Sequence, residues 1–60
     1  MKILRLNEVI NRTGIPRSTI YAFMAKDRFP KQINLGCRSV GWIESEVNEW
    51  IEAKVEKARG

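Results

Sequence analysis

Apolar positions change their period along the chain, and each change marks an element. In "KILRL" Ile3 alternates with Arg5 and Leu4 with Leu6, which supports a short extended stretch at most. "NEVINRTG" then places Val9, Ile10 and Thr13 at i, i+1 and i+4, one face of a helix expected over 7–13. Glu8 lies in its first turn, where the helix dipole favours an acid. Gly14 stands where such a helix ends in the left-handed conformation that glycine adopts at little cost. Ile15 is pushed towards extended backbone by the proline that follows, and Pro16 suits the first position of a new helix. Ile20, Phe23, Met24 and Asp27 follow at i, i+3, i+4 and i+7, so a second helix is expected over 16–27. Asp27 marks where its apolar face runs out, and Phe29-Pro30 stops it. The turn between the two helices is 14–16.

The pattern then switches to alternation. In "KQINLGCRSVGW" a four-residue loop "GCRS" would set Leu35 opposite Val40 and Ile33 opposite Trp42, with all four side chains on one face. That predicts a β-hairpin over 32–42. Helical period returns in "ESEVNEWIEAKVEKARG". Val47, Trp50, Ile51, Val55 and Ala58 form one stripe of a helix over 44–58, with Glu44 and Glu46 in its first turn. The expected core is Val9, Ile10, Ile20, Met24, Leu35, Val40, Trp42, Val47, Trp50 and Ile51. The two tryptophans read as core rather than ligand platforms, because so small a domain needs large side chains to close. The fold expected is mainly α with a small β-hairpin, in the order helix, helix, hairpin, helix. That is one domain over 1–60, a minimal winged helix-turn-helix.

Sixty residues leave no room for a deep substrate cleft, and a chain this short buries only roughly 60% of its unfolded surface. The net charge is +4, and its placement is uneven. Residues 1–43 carry eight Lys and Arg against Glu8 and Asp27, whereas 44–60 carry five Glu against three basic residues. A polyanionic partner for the front two-thirds is the reading this favours. Catalysis is not expected: there is no His, Cys37 has no base to activate it, and Ser18-Thr19 lacks one too. No ligand spacing suggests a metal, and no cofactor is expected. A lone cysteine and the absence of a long apolar run read as a cytoplasmic chain with no membrane association.

A "TGIP" corner by itself is common in small helical cores. What changes the reading is the outward side of the second helix, which carries Arg17, Ser18, Tyr21, Ala22 and Lys26. Arg, Ser and Lys bind phosphates and base edges, and a helix N-terminus attracts phosphate. Tyr21 either hydrogen-bonds a phosphate or covers the core edge; the sequence leaves this open. Arg38 and Ser39 sit at the hairpin tip as a candidate wing. Lys2, Arg5, Arg12, Arg28 and Lys31 are candidate phosphate contacts. The rival from another class is a protein-interaction module whose basic helix docks an acidic partner.

The motifs "LRLNEVINRTGIPRSTIYAFM", "RFPKQINLGCRSVGW" and "ESEVNEWIEAKVEKAR" together resemble the AlpA-type prophage regulators, within the broader excisionase and MerR-like winged-helix group. The resemblance covers nearly the whole chain. It implies a small bacterial DNA-binding protein of a phage or integrative element that regulates transcription near an integrase gene, or an excisionase that bends attachment-site DNA. It assigns Arg17, Ser18, Thr19 and Tyr21 to a recognition helix and Arg38 to the wing. Double-stranded DNA at a promoter or attachment site is the partner implied. RNA polymerase or integrase, and self-association on DNA, are further candidate partners. Ala22 stands where many relatives carry a basic residue, and Cys37 lies outside the pattern.

Overall fold

A computed structural model describes all of residues 1–60. The elements are β1 (Ile3–Leu4), α1 (Leu6–Thr13), α2 (Arg17–Ala25), β2 (Ile33–Gly36), β3 (Ser39–Ile43) and α3 (Glu44–Arg59). Three helices and a small antiparallel hairpin follow one another in the order the sequence predicts, with bounds within two residues of those expected.

The corner between α1 and α2 is closed by three neighbouring residues. Gly14 adopts φ 70°, and its N–H donates to the Ile10 carbonyl at 2.8 Å. The Thr13 hydroxyl donates to the Val9 carbonyl at 2.8 Å and accepts the Ile15 N–H at 3.2 Å. Both sides of the turn are therefore tied to the last turn of α1, which fixes where α2 begins. Pro16 stays extended (φ −68°, ψ 158°) as the residue just before the helix, so α2 starts at Arg17 rather than at Pro16. At the other end Asp27 takes φ 57°, and the Arg28 N–H donates back to the Phe23 carbonyl at 2.8 Å. This left-handed closure ends α2 at Ala25, two residues before the point the apolar pattern suggests.

The core comprises Leu4, Val9, Ile20, Phe29, Trp42 and Val47, with Ile10, Met24, Val40, Trp50 and Ile51 half-buried against it. Leu4 is fully buried because β1 pairs with β3, with Ile3 opposite Ile43 and Leu4 opposite Trp42. The two-stranded hairpin is thus part of a three-stranded sheet of order β1-β3-β2. Phe29 does more than stop a helix: its ring packs edge-on against Trp50 at 4.8 Å between centroids.

The hairpin register differs from the one the alternation suggests. Ile33 lies opposite Gly41, Asn34 opposite Val40 and Gly36 opposite Ser39, with an irregularity between Asn34 and Gly36. The cause is the turn. Cys37 and Arg38 both have positive φ, 43° and 63°, the signature of a two-residue hairpin turn that twists with its strands. Asn34 Oδ1 accepts the Gly36 N–H at 2.8 Å, and the bulge sets Leu35 outside the ladder. Leu35 is therefore 44% exposed and does not belong to the core.

Gly41 marks the closest approach in the sheet. A Cβ there would overlap Ile3 Cγ2 and stand 3.0 Å from the Leu4 carbonyl oxygen. A methyl group can rotate aside, but a backbone carbonyl held in a strand pair cannot. Gly41→Val should therefore cost about 1–3 kcal/mol by overpacking. For a domain of this size that lowers the melting midpoint by several degrees, which thermal unfolding followed by circular dichroism will read.

Candidate nucleic-acid interface

α2 buries Ile20 and turns Phe23 and Met24 towards the core, so its remaining positions face outward. Arg17, Ser18, Ala22, Ala25 and Lys26 are exposed, whereas Thr19 and Tyr21 are half-buried. Small residues at Ser18, Ala22 and Ala25 keep that face low. The side chains that rise from it are Arg17 and Tyr21 at the start and Lys26 at the end. Arg17 and Tyr21 are brought together: the guanidinium carbon lies 5.6 Å from the centre of the Tyr21 ring.

The first turn of α2 carries no side-chain cap. Its earliest bonds are from the Thr19 and Ile20 N–H groups to the Pro16 carbonyl, both 3.1 Å. The N–H groups of Arg17 and Ser18 precede them and are left for an outside acceptor. No acid lies in that turn. An uncapped N-terminus beside an arginine is suited to a phosphate.

The other basic residues divide into two groups. Arg12 is committed to the fold: its guanidinium contacts Glu44 Oε2 at 3.1 Å and Asn48 Oδ1 at 3.5 Å, linking α1 to α3. Its place in the sequence suggests a phosphate contact; its partners in space are on α3. Lys31 lies 2.8 Å from Asp27 in an exposed pair. The hydrogen bond from Lys31, and then its charge, hold the Asp27 carboxyl below its ordinary value. Lys2, Arg5, Lys26, Arg28 and Arg38 are exposed and make no ion pair. Arg38 stands at the hairpin tip, and Ser39 is half-buried at the start of β3.

α3 is the acidic element. Glu44 faces Arg12, but Glu46, Glu49, Glu52 and Glu56 are exposed without an ion-pair partner. Glu46 and Glu49, with Asp27, Arg28 and Lys31, line an open trough of about 730 Å³ that Phe29, Ile33, Ile43 and Trp50 also line. No helix is long and apolar enough to cross a membrane.

A helix-turn-helix with an exposed second helix, followed by a β-hairpin and a closing helix, defines a winged helix-turn-helix protein in its smallest form. The chain belongs to the family described as prophage CP4-57 regulatory protein (AlpA), whose sequence model matches residues 2–55. It is 43% identical over 60 residues to the DNA-binding transcriptional activator AlpA of Escherichia coli (strain K12), covering 90% of this chain and 86% of that protein. It is 41% identical over 54 residues to ORF88 of Enterobacteria phage P4, an uncharacterized protein, covering 90% of this chain. The chain spans 61% of the length of ORF88.

Proposed function

We propose that this chain is a sequence-specific double-stranded DNA-binding regulator of transcription in a prophage or integrative element, acting on integrase expression or on excision. The observation that carries the reading is the start of α2. There the Thr13–Gly14 corner presents an uncapped helix N-terminus, the free Arg17 and Ser18, and no acid. In this reading α2 enters the major groove, and the N–H groups of Arg17 and Ser18 approach a phosphate. Arg17 reaches base edges, and the hairpin sets Arg38 against the adjacent backbone. Family membership supports it, as does the similarity to the E. coli DNA-binding transcriptional activator AlpA. Ser18 and Thr19 act here as hydrogen-bonding groups and not as nucleophiles, and no catalytic step is assigned.

The unpaired acids of α3 favour a second, protein contact. A face carrying Glu46, Glu49, Glu52 and Glu56 is repelled by DNA, so it suits a partner such as RNA polymerase or integrase rather than the duplex.

The test is a fluorescence-anisotropy titration at several salt concentrations. It compares DNA from upstream of the neighbouring integrase gene, attachment-site DNA and scrambled duplex of equal length. Tight binding that prefers one native fragment and weakens steeply with salt is expected. Equally weak binding on all three, lost at physiological salt, would remove DNA as the partner. Strong curvature of the preferred fragment on binding, read by circular permutation of the site, would assign the excisionase role; little curvature would assign promoter control.

A further inference from the structure

Tyr21 stands out among the outward residues because it is half-buried while its hydroxyl makes no hydrogen bond within the chain. Its polar neighbour is Arg17, one helical turn earlier, with the guanidinium over the ring face at 5.6 Å. No carboxylate competes for that guanidinium: the acids that make ion pairs, Glu44 and Asp27, are taken by Arg12 and Lys31.

We propose that Tyr21 is a positioning residue for base reading. Its ring holds Arg17 so that the guanidinium fork is aimed before DNA arrives, and the ring itself contacts no base. A cation over an aromatic face is attracted by the ring's electrons, a contact that uses none of its N–H hydrogen bonds. The N–H groups lie in the guanidinium plane and remain free to donate as a pair. A paired, coplanar donor set fits the O6 and N7 acceptors on the major-groove edge of guanine, so the ligand feature is one G·C pair facing the start of α2. An unrestrained arginine loses much of its rotamer freedom on docking; one already held near an aromatic ring has less to lose. The benefit should therefore appear as discrimination between sequences rather than as general affinity. This rests on the DNA-binding reading above.

The experiment begins with selection of the preferred duplex from a random library. Anisotropy titrations then compare that duplex, the same duplex with 7-deazaguanine at the selected guanine, and scrambled DNA. The proteins are wild type, Tyr21→Phe, Tyr21→Leu, Arg17→Ala and the Arg17→Ala/Tyr21→Leu double variant. Circular dichroism checks folding, and Tyr21→Met serves in place of Tyr21→Leu if the latter unfolds. Tyr21→Phe is expected to bind as wild type does. Tyr21→Leu should cut the preference for the native over the deaza duplex by about three- to tenfold while leaving scrambled DNA within about twofold. On the Arg17→Ala background the Leu change should add nothing. If Tyr21→Phe weakens all duplexes equally, the hydroxyl is a phosphate contact and the inference fails. It also fails if Tyr21→Leu and Tyr21→Met keep full discrimination while Arg17→Ala loses it. If Arg17→Ala keeps discrimination as well, base reading by the start of α2 fails along with it.

Discussion

Trp42→Ala should leave the protein largely unfolded at room temperature. Trp42 is completely buried, lies opposite Leu4 across the β1–β3 pair, and donates its indole N–H to the Pro30 carbonyl at 3.1 Å. Removing a core aromatic costs about 3–5 kcal/mol, and the lost hydrogen bond leaves a part-buried acceptor without its partner. A chain of this length has about 3–9 kcal/mol of stability in total. The same side chain joins β3 to β1, to the segment after α2 and to the helical core, so no smaller unit remains to hold the rest. Circular dichroism and amide chemical-shift dispersion will read the loss. Leu35→Ser is the informative contrast. The alternating pattern places Leu35 opposite Val40 in the core, but the bulge leaves it 44% exposed, so the change should cost less than about 1 kcal/mol. A melting curve near wild type for Leu35→Ser, beside an unfolded Trp42→Ala, would verify the observed register.

The largest functional effect is expected for Arg17→Glu. On the proposed DNA-binding reading, the affinity for the preferred duplex should fall by about 100-fold or more, because the change would remove one base-reading pair and place an acid against the phosphates. Stability should not fall with it. A carboxylate in the first turn of an uncapped helix, where α2 has no acid, is favoured by the dipole by about 0.3–1 kcal/mol, which offsets the lost contact with the Tyr21 ring of similar size. Binding then collapses while stability holds, an outcome that a folding defect cannot imitate. Arg38→Ala should act differently. If Arg38 is the wing phosphate contact proposed, its loss should weaken binding to all sequences several-fold and lower the salt slope by about 1. Anisotropy at several salt concentrations, with thermal melts of the same samples, checks both variants. If Arg17→Glu binds as tightly as wild type, α2 is not the reading element.

The order of elements was legible in the sequence because each one has its own period and its own punctuation. Val9 and Ile10 before Gly14, Ile20 to Met24 after Pro16, and the Val47-Trp50-Ile51 stripe are local patterns, and local patterns survive folding. Glycine at 14 was needed for a left-handed helix end, and it has one, at φ 70°. The outward residues Arg17, Ser18 and Lys26 were likewise readable, since burial of one helical face exposes the other.

Contacts between distant segments were not legible. Nothing local in "KILRL" marks Leu4 as fully buried; that follows from its pairing with Trp42 near the far end of the chain. The positive φ at Cys37 and Arg38 shortened the turn and displaced Leu35, and neither residue type announces such a turn. Arg12 reads in sequence as one more cation of a basic front region, yet its charge is met by Glu44 of α3. Residue type and period therefore determined which helices form and which faces they expose. Tertiary packing decided which apolar residues are buried and which cations remain free, because a side chain's burial and ion pairing depend on partners that only the folded chain brings near.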